Sequence, residues 1–466
     1  MEFWKDFSEA SDKVALIEDE KQIKYGQLEE MVNQLIKKYD NRKLAFLVCT
    51  NTIESVAIYL SLLRAQIPVV LINEHIENEL LAQLIDLYKP FYFWDNRSEE
   101  LNGYHKADSF ERYNLRMNQE DIDYPIHEEL GVLLTTSGST GSPKLVRQSY
   151  KNIQSNTDSI VTYLNITDSD CALTTLPMHY TYGLSIINTH IAQRATLVLT
   201  NATPMQKKFW SLIAEHKVTT FGGVPYTYEM LKRVHFFNKD IDSLRYLTQA
   251  GGRLGVDLHK EFAEGCADHN IDFVVMYGQT EATARMSYLP PQKTLEKIGS
   301  IGIAIPNGKF WLIDENENVI SEPEIAGELI YQGENVTMGY AQSFADLNLG
   351  YDNGNVLHTG DVAKYDKEGY FYIVGRKKRF LKIYGNRINL DEVEKILKQK
   401  GVDAVACGKD DNLKVCVLQD ADKTKAEEVL LNNTNIPRFG MKVYVVNEIP
   451  RNSSGKIMYT ELENSL

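Results

Sequence analysis

Short apolar runs alternate along the chain with longer segments whose apolar positions recur every three or four residues. "LAFLVCT" (44–50) is apolar without a polar face and bounded by polar residues, the pattern of a strand buried on both sides. The segment "TIESVAIYLSLLRAQ" has helical spacing, "PVVLIN" reads as a second strand, "ENELLAQLIDLYKP" as a second helix stopped by Pro90, and "FYFWD" as a third strand. Strand–helix–strand–helix–strand at this spacing predicts a parallel sheet with helices on its faces. The pattern returns in "ATLVLT", "MQKKFWSLIAEHK", "VTTFGGV", a helix after Pro225 and the strand "IDFVVMYG". Sheets of this kind hold ligands at the carboxyl ends of their strands.

After about Tyr365 the character changes. A dense run of Lys and Arg, "GRKKRFLK", leads into a helical pattern, and then short strands ("DAVACGKD", "KVCVLQD", "MKVYVVNEIP") alternate with the helix "KTKAEEVLLNN". At 466 residues the chain exceeds one compact core. The expected class is therefore α/β: a large N-terminal domain of parallel-sheet α/β subdomains over residues 1–375, and a small C-terminal α+β domain over 379–466. Within the large domain, "GELIYQGENVTMGY" reads as a hairpin.

Composition narrows the partners. The formal net charge of −14 disfavours nucleic acid and anionic membranes, although it leaves room for a local cationic pocket. The five cysteines show no Cys-x-x-Cys pair, which fits reduced thiols and a cytoplasmic protein. The ten histidines show no metal-binding spacing. The start "MEFWKDFSEASDK" lacks an apolar signal core, and "VAIYLSLLRAQIPVVLIN" is broken by Arg64, Gln66 and Pro68, so no membrane span is expected.

Candidate chemistry lies in five clusters. "TTSGSTGSPK" carries Thr136, Ser137, Gly138, Ser139, Thr140, Gly141 and Lys144. Glycines that admit close backbone approach, hydroxyl donors and a lysine suit a polyphosphate, although the spacing is neither a Walker loop nor a Rossmann fingerprint. A Ser/Gly surface turn has the same composition. In "MYGQTEATARM", Tyr277 offers a face for a base, Thr280 a hydroxyl for a phosphate and Glu281 a hard oxygen ligand for magnesium; an ordinary helix start capped by Thr280 fits equally. "LTQAGGRLG" pairs Gly251 with Gly252, as a plain turn also would. "HTGD" holds Asp361 in a tight turn, where a carboxylate could accept both hydroxyls of a ribose or simply close an Asx turn. "PRNSSGK" carries Lys456 on a Ser/Gly loop, or as a solvated tail lysine.

In this order the clusters are specific, and the chain resembles the adenylate-forming superfamily of acyl- and aryl-CoA synthetases, firefly luciferase and peptide-synthetase adenylation domains. The resemblance rests on "TSGSTGSPK", "YGQTEA", "GELIYQG…GY", "HTGD", "GRKKRFLKIYGNRINLDEVE" and "SSGK", and it covers nearly the whole length. It implies ATP-dependent activation of a carboxylic acid to an acyl-adenylate, with magnesium, followed by transfer to a thiol. It implies that Thr136 to Lys144 wraps the β- and γ-phosphates, that Gly251, Gly252 and Arg253 flank the adenine, and that Tyr277 and Gly278 carry the stacking face. Thr280 would touch the α-phosphate, Glu281 bind magnesium, and Asp361 hold the ribose with help from Arg376. Lys456 would serve adenylation, Lys378 would be the hinge of a mobile small domain, and Lys382 would enter the site after rotation.

Two departures stand out: Leu145 follows Lys144 where glycine is usual, and Met276 precedes Tyr277 where asparagine is common. The acyl pocket aligns with "LPMHYTYGLS", giving His179, Tyr182 and Gly183, and with walls at Phe221, Gly222, Gly223, Val224 and Tyr226. Members that activate α-amino acids place an aspartate where Gly183 stands, and an unpaired ammonium in a dry pocket is costly. The substrate implied is a carboxylic acid without an α-amino group. CoA is the first acceptor and the phosphopantetheine of a separate acyl carrier protein the second; a non-catalytic nucleotide-binding descendant is the rival class.

Overall fold

The computed structural model describes residues 2–98, 100–135, 144–352, 354–384, 386–434, 436–451 and 457–466, with backbone alone at 378, 380, 386, 387 and 460. By compactness these fall into two units, one holding the described residues through 309 together with 332–357, the other holding 310–331 and 358 onward.

The first unit contains two large sheets. In one, Asp272–Tyr277, Tyr246–Gln249, Thr220–Gly223, Cys171–Leu173, Thr196–Val198 and Val14–Glu18 lie side by side, all parallel, with antiparallel strands at both margins. In the other, Ala45–Cys49 lies between Val69–Asn73 and Tyr92–Asp95, again parallel, and Leu130–Thr135 extends the parallel set. These strands carry apolar residues on both faces because both faces are covered.

The helices differ according to their cover. Ile53–Arg64 is buried at every position from Ile53 to Leu63, and Thr181–Ala192 from Thr181 to Ile191. Helices this apolar need cover on all sides, and their polar groups are paired internally: Tyr59 donates to Asn188 Oδ1 at 3.1 Å, and Thr52 caps the first turn of its helix by accepting from the Ser55 N–H. Asn78–Tyr88 buries only the stripe Leu81, Leu84 and Tyr88, and it ends at Lys89, whose φ of 47° is left-handed, directly before Pro90.

The second unit holds a five-stranded sheet built from Lys309–Ile313, Val319–Ile320, Gly327–Gln332, Val356–Tyr365 and Phe371–Arg376, followed by the C-terminal α+β portion. There Ala404–Lys409, Asn412–Val417 and Met441–Val445 form one sheet, with helices Leu390–Gln399 and Asp420–Asn433. The compact grouping thus starts earlier in the chain than the change of composition near Gly375–Lys378, because the five-stranded sheet joins strands from both sides of residues 332–355.

Two local expectations are corrected. The hairpin across "GELIYQGENVTMGY" does not form: Gly327–Gln332 belongs to the five-stranded sheet, whereas Gly339–Ala341 pairs with Leu145–Ser149. The polar residues between them are taken up elsewhere, since Asn335 Nδ2 donates to the carbonyls of Ala282 and Arg285, and the Thr337 N–H donates to that of Glu281. "HTGD" is not a free turn but the middle of the strand Val356–Tyr365, with Gly360 at φ +68° admitting a kink. Among the described residues no helix is long and apolar enough to cross a membrane. All five cysteines are free and buried.

Candidate functional site

Register sets Gly223 opposite Gln249 and Gln249 opposite Val275, so three neighbouring parallel strands end together. Their carboxyl ends bring residues 222–224, 249–253 and 277–281 to one side of the sheet. Gly251 has φ +81°, and a Cβ there would stand 2.5 Å from Tyr180 Oη and 3.1 Å from Val224 Cγ1. The Gln249 amide fixes this turn by donating to the carbonyls of Ala250 and Gly252 at 3.2 and 3.0 Å. Arg253 is exposed beside it.

The segment after Tyr277 folds tightly back. Tyr277 pairs antiparallel with Ser287, and Gln279 Nε2 donates to Tyr277 Oη at 3.1 Å. A Cβ on Gly278 would lie 1.8 Å from the Ala284 carbonyl oxygen, so only glycine fits. Thr280–Ala282 is a single 3-10 turn whose side chains supply no cap, so the capped-helix reading of Thr280 is not realised. Thr283 then adopts φ 65°, ψ −61°, and the Ala284 N–H donates to the Ala282 carbonyl at 2.7 Å. This is a γ-turn on a β-branched residue, a strained conformation that persists only where surroundings impose it. The surroundings are visible: Thr283 Oγ1 donates to the Asn335 carbonyl at 2.7 Å, and Thr181 and Gln148 side chains both donate to the Thr283 carbonyl.

The γ-turn holds Glu281 where Tyr340 can reach it. Tyr340 Oη donates to Glu281 Oε1 at 2.6 Å, and the Lys144 ammonium lies 3.8 Å from the centre of the Tyr340 ring. The pairing of Ala341 with Leu145 places that lysine. Burial, and then the neighbouring Glu281 charge, push the Tyr340 hydroxyl well above its usual range, so it stays a donor. Nothing in local sequence spacing signals this contact, although Tyr340 closes the quoted "GELIYQG…GY" motif. Thr136, Ser137, Gly138, Ser139, Thr140, Gly141 and Lys456 lie outside the described residues. Among the described residues no three His, Cys, Asp or Glu side chains gather as metal ligands.

The acyl-pocket residues separate. Gly222 lines a small void with room for about one water molecule, together with Ile160, Leu164, Ile186, Phe221, Thr248 and Arg285. Tyr182 is buried beside it and donates to the Thr248 carbonyl at 2.9 Å; a Cβ on Gly222 would meet its hydroxyl at 2.8 Å. Gly223 instead faces Thr227 and Tyr228 of the following helix, and Gly183 faces the Leu176–Pro177 backbone, where a Cβ would lie 2.3 Å from the Pro177 oxygen. The missing aspartate at Gly183 thus has a packing cause of its own. Burial lowers His179 to about 4, so its imidazole is neutral at physiological pH.

In the second unit, Asp361 lies opposite Arg376 in the antiparallel pair, and Arg376 Nε donates to Asp361 Oδ1 at 2.9 Å. The Asp361 side chain is buried while that of Arg376 is largely exposed. Lys377 pairs with the buried Glu328, and Arg379 pairs with Asp391 and Glu394 at 2.6 and 2.7 Å. Much of the basic run is therefore neutralised within its own unit. Lys378 lies in the single 3-10 turn Lys377–Arg379. Lys382 is exposed in the strand Phe380–Ile383, its backbone N–H held by Asp410.

The family model described as "AMP-binding enzyme" matches residues 3–341. The chain is 24% identical over 476 residues to a 2-succinylbenzoate–CoA ligase of Bacillus subtilis (strain 168), covering 97% of this chain and 95% of that protein. It is 26% identical over 348 residues to an oxalate–CoA ligase of Arabidopsis thaliana, covering 71% and 66%. Among solved structures, an O-succinylbenzoate coenzyme A synthetase from Bacillus subtilis in complex with AMP matches with a TM-score of 0.79 at 20% identity, covering 99% of this chain and 98% of that one. ATP-bound MatB from Rhodopseudomonas palustris matches with a TM-score of 0.77 at 19% identity, covering 100% and 98%. The structural likenesses establish the fold.

Proposed function

The chain belongs to the AMP-binding enzyme family, and from that premise we propose that it is an AMP-forming acid–thiol ligase. A carboxylate oxygen attacks the α-phosphorus of ATP and pyrophosphate leaves. A thiol then attacks the acyl carbonyl, and AMP leaves with the oxygen that joined it to the acyl group. CoA is the acceptor we assign, which the similarity to CoA ligases supports. The phosphopantetheine of a carrier protein remains the second reading. The acid lacks an α-amino group, and the buried free thiols fit a cytoplasmic setting.

The observation that carries this reading is the contact chain Lys144–Tyr340–Glu281 at the carboxyl end of the parallel sheet. Two anions must approach one another, and the transition state is rich in charge, so fixed charges and donors matter most. In this reading Lys144 faces the phosphates, Thr280 donates to the α-phosphate, and Tyr277 with the Gly251–Gly252 turn holds the base. Magnesium on the nucleotide would draw charge off the phosphates, with Glu281 as its protein carboxylate; magnesium commonly takes one or two carboxylates and fills its shell with phosphate and water. Asp361 takes the ribose hydroxyls, Arg376 orienting it, and Lys456 neutralises the point where carboxylate meets α-phosphate. Rotation at Lys378 exchanges Lys456 for Lys382 between the half-reactions.

Pyrophosphate release with ATP and a panel of acids, run once with CoA and once with a carrier protein, tests the proposal. Acid-dependent release and thioester formation with CoA support it. Measurable ATP binding without release from any acid favours a non-catalytic nucleotide binder.

A further inference from the structure

Lys377 and Arg379 stand on either side of Lys378, and each is tied to a different body. The Lys377 ammonium pairs with Glu328 on Gly327–Gln332, a strand of the five-stranded sheet. The chain arrives at Lys377 from that same sheet, since Arg376 lies opposite Asp361 and donates to it at 2.9 Å. Arg379 turns the other way. Its guanidinium binds Asp391 at 2.6 Å and Glu394 at 2.7 Å, both on the helix Leu390–Gln399, and donates to the Ala406 carbonyl at 3.2 Å. Its Cζ lies 4.3 Å from the centre of the Tyr459 ring. All of these partners lie C-terminal to Lys378.

The two anchorages differ from surface ion pairs. The side chains of Glu328 and Arg379 are 6% and 13% exposed. Their contacts are charge-assisted hydrogen bonds held away from solvent, stronger than neutral ones and little screened by salt. Breaking either leaves a buried charge unpaired. Between them lies the single 3-10 turn Lys377–Arg379, a connector with no longer helix to stiffen it. A contact that crosses Lys378 is of the weaker, neutral kind: Asn389 Nδ2 donates to the Val374 carbonyl at 2.7 Å. The contacts that can persist through a rotation at Lys378 are thus the strong ones, and the crossing contact is the one that yields.

We propose that Lys377 and Arg379 are positioning residues that bracket the hinge: they confine rotation to the φ and ψ of Lys378, so that the C-terminal portion moves between two defined poses. The proposal rests on the two-pose reading above. With both neighbours anchored, only the two soft torsions of one residue are free. Releasing either anchor adds the torsions of Lys377 or Arg379 and widens the set of orientations. Each half-reaction needs its own lysine in place, and misplacing a reacting group by about 1 Å can cost about a hundredfold in rate. The bracket acts through Lys456 and Lys382.

The test measures distances in the full chain by double electron–electron resonance. Spin labels are carried on cysteines introduced at Glu322 and Lys423, exposed positions before and after Lys378, while the native cysteines are buried. One sample holds a non-hydrolysable ATP analogue, the other AMP and CoA. The expected wild-type result is two narrow distance components whose ratio differs between the samples. Lys377→Ala with Glu328→Gln removes the first anchor without leaving a buried carboxylate charged, and Arg379→Gln with Glu394→Gln removes most of the second. Each pair of substitutions should lose the two resolved components to one broad distribution and slow both half-reactions in single turnover by roughly tenfold or more. Lys377→Arg should keep both components. Melting temperatures report folding, and the second pair decides if the first melts early. Two unchanged narrow components in an anchor variant would overturn the bracket even where the melting temperature falls, because a merely structural ion pair would lower stability and leave the poses alone. A single wild-type component, the same in both samples, would remove rotation at Lys378 itself and the bracket with it. Two components that the anchor variants lose, without acid-dependent pyrophosphate exchange in wild type, would sink the ligase and leave the bracket standing.

Discussion

Tyr340 donates its hydroxyl to Glu281 at 2.6 Å across 59 residues of chain, and the same ring carries the Lys144 ammonium on its face. One side chain therefore touches both the carboxylate and the ammonium that the proposed function assigns to the nucleotide. Glu281 supplies charge, whereas Tyr340 supplies only orientation, so their losses should differ. Glu281→Gln should slow acid-dependent pyrophosphate exchange roughly a hundredfold, about 3 kcal/mol of transition-state stabilisation. Tyr340→Phe should cost about tenfold and raise the magnesium requirement. Exchange rates measured across magnesium concentrations decide this; unchanged rates at limiting magnesium in both variants would remove the pair from the site.

Gly251 offers a sharper steric test. Alanine there must adopt a left-handed φ, at about 1–2 kcal/mol, and must displace Tyr180 Oη or Val224. Gly251→Ala should weaken ATP binding and lower the melting temperature. Gly350→Ala, with nothing within 4 Å of the added methyl, should change stability by less than about 0.5 kcal/mol. Equal behaviour of the two variants would mean that the Gly251 turn does not pack as described.

Acid should destabilise the first unit through its histidines. Burial lowers His179, His190 and His259 each to about 4 from the ordinary 6.5. Between those values the unfolded chain binds protons that the folded chain refuses, so stability is full above pH 6.5 and falls as pH drops toward 4. Denaturant midpoints between those limits should decline steadily, and His190→Asn should flatten the decline. A midpoint that rises on acidification over this window would contradict the burial of these rings.

The layered α/β body was legible because two periodicities dominate it. Ile53–Arg64 reads as a helix by spacing, and its uniform apolarity reflects cover on all sides; Ala45–Cys49 and Asp272–Tyr277 read as strands for the matching reason. The places of Tyr277 and Gly251 at the carboxyl ends of neighbouring parallel strands followed from pattern and position together. What stayed hidden depends on distant partners. Local spacing pairs the end of "GELIYQGENVTMGY" with its start, whereas Gly339–Ala341 pairs with Leu145–Ser149, far away in sequence. The γ-turn at Thr283 contradicts local preference and exists because Asn335, Thr181 and Gln148 hold it. Nothing in "ATARMSY" signals that Arg285 is buried; only the packing shows it, among Tyr182, Ser185 and Met276.

Lys456 and Lys382 should divide the reaction. Lys456→Ala should nearly abolish acid-dependent pyrophosphate exchange yet still convert supplied acyl-adenylate and CoA to thioester. Lys382→Ala should act more mildly, chiefly on transfer, since a thiol needs less electrostatic help to attack a mixed anhydride. Single-turnover kinetics of each half-reaction measure both effects. Equal loss of both steps in Lys456→Ala would contradict an exchange of lysines between two poses.

The most direct test of the central claim follows an oxygen atom. An acid labelled with oxygen-18 in its carboxylate is turned over with ATP and CoA, and the phosphorus products are weighed by mass spectrometry. Attack of the carboxylate on the α-phosphorus predicts one labelled oxygen in AMP and none in pyrophosphate. Label in inorganic phosphate, unlabelled AMP, or no acid-dependent pyrophosphate from any acid tried would contradict an AMP-forming acid–thiol ligase.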